Sequence, residues 1–297
     1  MELGLITFAD MQSQSVPGQG VNAQQRVKNL MEEIQLADQL GLDVFGVGEH
    51  HRPDYAVSSP AVILGAAAAV TKNIKLTSAV TVLSSDDPVR VFQNFATVDL
   101  LSGGRSEIMA GRGSFIESFP LFGYDLEDYD ELFTEKLDLL LKLNKSEKLS
   151  WKGKHRASFD DLGIYPRPYQ PSLPIWLAAG GTPASAVRAA TLGLPLMLAI
   201  IGGRPEQFVP FVNLYRETAK KAGRDLSQLQ LGVNNHLYVG EDSQRAANEF
   251  YPYYAVMMNR IGRERGWSPL SREQYEYLRS AKGALMVGSV QEIIDKI

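Results

Sequence analysis

Residues 45–60 read FGVGEHHRPDYAVSSP, placing a glutamate and two adjacent histidines at the end of an apolar run. Three kinds of chemistry suit Glu49, His50 and His51: metal ligation, proton transfer, or plain hydrogen bonding to loop backbone. Imidazole changes charge near pH 6.5, which suits a group that positions or transfers a proton. Adjacent strand residues point to opposite faces, so a regular strand does not aim both imidazoles at one ion. The other histidines are His155, among Lys and Arg and read as surface, and His236; there is no cysteine. No metal is expected. A metal-dependent hydrolase using Glu49 and His50 stands as a rival reading.

Two further kinds of stretch could carry chemistry. In AGRGSF (110–115), Gly111 and Gly113 flank Arg112, whose planar fork suits a phosphate or a polar ring edge. In AAGGTPAS (178–185), Gly180 and Gly181 precede a helix start with Thr182 and Ser185. A helix N-terminus with hydroxyls suits an anion. IIGG (200–203) is a third turn of this kind. Such turns also serve merely to reverse the chain; three of them beside an arginine suggest a phosphate-bearing cofactor. Phosphate-loop and early dinucleotide fingerprints are absent from the sequence. TSAV (77–80) is small and apolar, suited to packing or to a flat platform for a planar ring.

The elements that must position these residues alternate. Strands are predicted over 3–8, 43–48, 74–83, 105–113, 173–181, 194–203 and 229–240. Helices are predicted over 22–40, 60–70, 88–101, 129–143, 183–192, 205–222 and 290–297. Residues 144–173 are polar and proline-rich, with a hairpin expected around 150–157. Strands each followed by a helix imply a parallel sheet and an α/β fold, one strand short of a (β/α)8 barrel. The candidate residues fall at strand C-termini, where barrel enzymes carry their sites.

Composition is that of a globular protein, 44% hydrophobic and 22% charged over 297 residues. A net charge of −4 without basic runs argues against nucleic acid or a membrane surface as partner. No window approaches the ~20 apolar residues of a membrane span. With no signal-peptide pattern in MELGLITFAD, a cytoplasmic location is expected.

Taken together, EHH (49–51), VLSSDDPVRV (82–91), DLLSGGRSEIMAGRG (99–113), FGYD (122–125), GGTPAS (180–185) and GLPLMLA (193–199) resemble the bacterial luciferase-like flavin-dependent monooxygenases, in the family's order. The resemblance implies a luciferase-like TIM barrel over 1–297 as a single domain, with an insertion at 144–173 between strands four and five. Strand eight is expected to be missing from this chain, and either the natural product to continue beyond the last helix or a partner subunit to cover the open seam.

The resemblance also implies reduced FMN as cofactor, supplied by a separate flavin reductase, and O2 as co-substrate. The organic substrate would be small, an aldehyde or another apolar molecule, and the assembly a homodimer through helices beside strands two and three. His50 matches the catalytic histidine, with Glu49 and His51 completing its motif. Ala79 and Val80 match a small-residue step, often cis, against which the flavin ring packs. Arg112, Thr182 and Ser185 match phosphate contacts, with Gly180 and Gly181 in the same motif.

Two departures stand out. Gly111 replaces the cysteine of luciferase proper. Asp130 falls where the luciferase light-emitting subunit has a second basic phosphate ligand, which implies weaker FMN retention. A non-catalytic FMN-binding protein and a deazaflavin-dependent oxidoreductase are the alternatives.

Overall fold

The computed structural model describes residues 1–11, 20–113 and 115–297. Ser114, within the 110–115 stretch, lies outside the described residues. The chain forms two compact units, residues 1–11 with 20–178 and residues 179–297.

In the first unit, short apolar strands alternate with helices. These are β1 (Gly4–Thr7), α1 (Ala23–Gln39), β2 (Val44–Val47), α2 (Pro60–Val70), β3 (Lys75–Ser78), β4 (Thr81–Val82), α3 (Pro88–Ser102) and β5 (Ser106–Gly111). Then follow α4 (Ser118–Phe122), α5 (Tyr129–Lys145), β6 (Lys148–Trp151), β7 (Phe159–Gly163) and β8 (Ile175–Ala179). Parallel pairing needs a crossover between strands, and the helices supply it. The sheet order is β1-β2-β3-β5-β8, with β4 also on β5. Thr7 lies opposite Val47, and Val47 opposite Ser78, so the β2 end is level with its neighbours.

Local chemistry sets the helix ends. Asn22 caps α1 by accepting from the Gln25 N–H, and Leu30, Ile34 and Ala37 bury one face at helical spacing. Asp87 caps α3, accepting from Val89 and Arg90 N–H, and Pro88 takes the first helical position. Gly103 ends α3 at φ +70°, a conformation that costs glycine little.

The second unit contains α6 (Pro183–Leu192), β9 (Leu196–Ala199), α7 (Val209–Lys221), β10 (Leu231–Asn234) and β11 (Leu237–Gly240). It continues with α8 (Ser243–Arg265), α9 (Arg272–Arg279), β12 (Met286–Ser289) and α10 (Val290–Lys296). β9 pairs with β10 and β11 with β12, both parallel. Ala247, Tyr254, Tyr275, Leu285 and Val287 form a core of this unit.

Three features differ from the sequence-based expectation. The strand predicted over 74–83 is two strands, β3 and β4, separated by a cis peptide bond between Ala79 and Val80. The strand over 229–240 divides at Asn235 and His236. There, the Asn235 side chain donates to the Ala284 carbonyl (2.6 Å) and the Met286 N–H donates to the His236 carbonyl (2.9 Å), turning the chain from β9 to β12. β12 itself occupies a stretch to which the sequence pattern assigns no element. The expected hairpin is present as antiparallel β6 and β7. Among the described residues, no helix is long and apolar enough to cross a membrane.

Candidate active site

Glu49, His50 and His51 follow β2 after Gly48, and the chain around them is packed tightly. A Cβ on Gly46 would stand 3.0 Å from Ala79 Cβ, and one on Gly48 3.1 Å from the Ala79 carbonyl oxygen. Glycine at both positions lets β2 approach the Ala79–Val80 step. A Cβ on Gly111, at the end of β5, would stand 2.6 Å from Val80 Cγ2. The cysteine of luciferase proper therefore has no room here unless Val80 moves. Gly46, Gly48 and Gly111 thus surround this small-residue step with close contacts.

The two histidines turn to different partners. His51 Nε2 is 2.9 Å from Glu49 Oε1, while Glu49 Oε2 accepts the Val82 N–H at 2.9 Å. Glu49 thus ties His51 to β4. The His50 ring stacks on Tyr55 at 4.2 Å, with Phe8 at 4.7 Å and Phe115 at 5.3 Å. Arg52 lies over the Phe115 ring at 3.7 Å and forms an ion pair with Glu117. His50 Nδ1 is buried without a hydrogen-bond partner among the described residues.

Burial lowers the His50 pKa to about 4, with the Arg52 and His51 charges adding to the effect. His50 is therefore a neutral imidazole at pH 7, suited to exchanging one hydrogen bond or accepting a proton rather than standing as a cation. The expectation of an unperturbed imidazole is revised by its aromatic surroundings.

Behind Glu49 lies a charged group that the sequence reading does not single out. Burial raises the Asp86 pKa to about 6; Glu49 and Asp87 push the same way, while the Asp87 N–H and Lys136 oppose. Lys136 on α5 is almost wholly buried, donates to the Ser84 carbonyl at 2.7 Å and lies 3.7 Å from the Tyr124 ring centroid. Burial lowers its pKa to about 8, against the pull of Asp86, Asp87 and Glu135.

Arg112 leaves β5 toward α5. Its Nη1 donates to Asp130 Oδ1 at 2.6 Å, and its guanidinium carbon lies 5.2 Å from the Tyr129 ring centroid. In the second unit, Gly181 adopts φ +112° beside the Phe208 and Phe211 rings, and nothing would touch a Cβ on Gly180 within 4 Å. Thr182 occupies the N-cap position of α6 and is exposed, while Ser185 is buried. The Ser185 N–H donates to the Thr182 carbonyl at 3.0 Å.

His50 and His51 do not converge. Among the described residues, the grouping close enough to hold an ion is Asp128, Glu131 and His155, with ligand atoms within 4.8 Å of one another. Lys154 Nζ already lies 2.5 Å from Glu131 Oε2, supplying a positive charge there. His155 is also less exposed than its Lys- and Arg-rich neighbourhood suggests, with a side chain 10% accessible.

The family profile described as luciferase-like monooxygenase matches residues 1–297, and the chain belongs to that family. The protein y4wF of Sinorhizobium fredii (strain NBRC 101917 / NGR234) is 33% identical over 229 residues, 76% of this chain and 65% of that protein. Another protein of the same strain, y4vJ, is covered to 62% of its length, so the chain spans just under two thirds of these relatives. The oxygenase component of the flavin-dependent trigonelline monooxygenase of Acinetobacter baylyi is 26% identical over 303 residues, 93% of this chain and 82% of that one. The F420-dependent glucose-6-phosphate dehydrogenase of Amycolatopsis mediterranei is 28% identical over 273 residues, 86% and 74% of the two chains. The crystal structure of monooxygenase RslO1 from Streptomyces bottropensis superposes with a TM-score of 0.83 at 25% identity, covering 99% of this chain and 86% of that one. The fold is the luciferase-like α/β barrel fold.

Proposed function

We propose that the chain is an oxygenase of the flavin-dependent type, using FMNH2 delivered by a separate reductase and O2 to oxidise a small organic substrate. The carrying observation is His50: a half-buried imidazole whose Nδ1 is buried without a hydrogen-bond partner, walled by Phe8, Tyr55 and Phe115. A buried polar atom without a partner is costly, and a bound group presenting a donor or acceptor would satisfy it. Reduced flavin, when bound, supplies the electrons that activate dioxygen.

The chain's own residues have distinct parts in this reading. His50 holds or moves a proton next to the reacting centre. Phe8, Tyr55 and Phe115 exclude water around it. The Glu49–His51 contact fixes the loop that carries His50. Ala79 and Val80 form the platform for the ring. Arg112, with Gly111 beside it, takes the polar end of the cofactor, and Gly180, Gly181, Thr182 and Ser185 bind phosphate. The substrate is an aldehyde or another small apolar molecule. A homodimer is the proposed assembly.

A deazaflavin in place of FMN is the second reading, supported by the likeness to the F420-dependent dehydrogenase of Amycolatopsis mediterranei. Anaerobic titration with FMNH2 and, separately, with reduced deazaflavin, each followed by rapid mixing with O2, separates the two. A flavin-derived absorbance transient, retained in binding but shortened in His50→Ala, supports the oxygenase. Tight binding of reduced deazaflavin without oxygen consumption supports the second reading, and failure to bind either overturns both.

A further inference from the structure

We infer that Asp130 sets cofactor choice, disfavouring a terminal phosphate dianion next to Arg112 and bringing phosphorylated and unphosphorylated flavins close in affinity. This rests on the flavin reading above.

The Arg112 guanidinium does not face a ligand as an unopposed cation. Its Nη1 is bonded to Asp130 at 2.6 Å. Asp130 is held in place by its position. It lies in the first turn of α5, where carboxylates are favoured by the helix dipole, and its carbonyl accepts the Thr134 hydroxyl at 2.7 Å. The neighbouring Tyr129 hydroxyl donates to the Gly113 carbonyl at 3.3 Å, tying this turn of α5 to the loop that carries Arg112. The Asp130 side chain is 73% exposed and that of Arg112 22%. A ligand group reaching Arg112 thus meets the carboxylate too.

A phosphate monoester carries between about −1.5 and −2 charges at pH 7. Beside a guanidinium alone it gains strong, bidentate hydrogen bonds. Beside a guanidinium already paired with a carboxylate it meets a like charge within a few ångströms, and that repulsion cancels much of the gain. A ribityl end without phosphate brings hydroxyls only, and loses nothing to Asp130. The carboxylate thus acts selectively against one chemical feature of the ligand.

The test is equilibrium binding of FMN and riboflavin, each in the reduced form under anaerobic conditions, to four chains: wild type, Asp130→Asn, Arg112→Ala and the double variant. The inference expects the wild type to bind the two flavins within about threefold of each other. Asp130→Asn should tighten FMN about tenfold and leave riboflavin within about twofold. In the Arg112→Ala background the same substitution should still raise the FMN-to-riboflavin ratio, because the carboxylate repels the phosphate with or without the guanidinium beside it. If Asp130→Asn moves both flavins alike, or neither, the inference is wrong while the flavin reading stands. If no chain binds either flavin, the flavin reading fails and the inference falls with it.

Discussion

At the scale of single residues, the site combines groups whose protonation is displaced in opposite senses. His50 sits near 4 in the fold against 6.5 in a free chain. Between those values the unfolded chain binds a proton that the folded one refuses, so the contribution of His50 to stability is present above pH 6.5 and lost as pH falls toward 4. Asp86 sits near 6 against 3.8. Between those values the folded chain holds a proton that the unfolded one releases, so its contribution is present at low pH and lost as pH rises through 6. Urea unfolding at pH 4.5 and 7.5 should show both. Relative to wild type, His50→Gln should gain stability on acidification, by up to about 1.4 kcal/mol per pH unit, and Asp86→Asn should gain on going to neutral pH. A variant whose difference from wild type does not change with pH would deny that its residue titrates in this way. Gly111 gives a steric counterpart. Gly111→Ala should cost about 1–3 kcal/mol through its clash with Val80, and Val80→Ala in the same chain should recover most of that loss. Thermal unfolding of the four members of this cycle measures the coupling.

At the scale of elements, α5 shows both what the sequence makes legible and what it hides. Leu132, Phe133, Lys136, Leu137, Leu139, Leu140 and Leu143 are its buried residues. Lys136 stands four residues after Leu132 and four before Leu140, on the apolar face. That pattern is readable in the sequence as a charge on a core-facing stripe, although a leucine-rich reading passes over it. Burial of this ammonium opposes folding at neutral pH. Lys136→Met should therefore raise the melting temperature at pH 7, and its advantage over wild type should narrow as pH rises from 8 to 10.5, where only the unfolded wild type still holds the lysine proton. An advantage that grows with pH would contradict this. The helices and most strands follow from apolar spacing, caps and prolines, because those are local signals. The β3–β4 break does not, since Ala79 and Val80 carry no backbone marker and only the family resemblance points to them. The His50 surround is equally hidden. Phe8, Tyr55 and Phe115 come from separate loops, and no spacing connects residues that tertiary folding alone brings together. The Glu49-His50-His51 run at the end of an apolar strand is the legible part of the candidate site, whereas the Glu49–His51 contact appears only in the fold.

At the scale of the assembly, the first unit presents a feature that its own core does not account for. α2, PAVILGAAAAV, is apolar on all sides, a pattern found in helices covered on more than one face. Pro60, Leu64, Ala67 and Ala68 face inward, yet Val62 is 69% exposed. Leu101 at the end of α3 is 57% exposed and lies against α2, with its Cδ1 3.9 Å from where a Gly65 Cβ would be. Leu36 and Leu40, on α1 and its C-terminal cap, are exposed as well. Solitary exposed leucines need no explanation, whereas apolar side chains on adjacent packed helices amount to a patch of the kind that marks an interface. The proposed homodimer through these helices covers it. A two-fold axis there would bring each patch against its own copy, so one charged substitution enters the interface twice. Val62→Asp with Leu101→Asp should convert a dimer to a monomer in sedimentation velocity at micromolar concentration, without loss of flavin binding per chain. Both residues are exposed in the isolated chain, so the fold itself should tolerate the charges. A wild type that sediments as a monomer, or a doubly substituted chain that stays dimeric, would remove these helices as the interface.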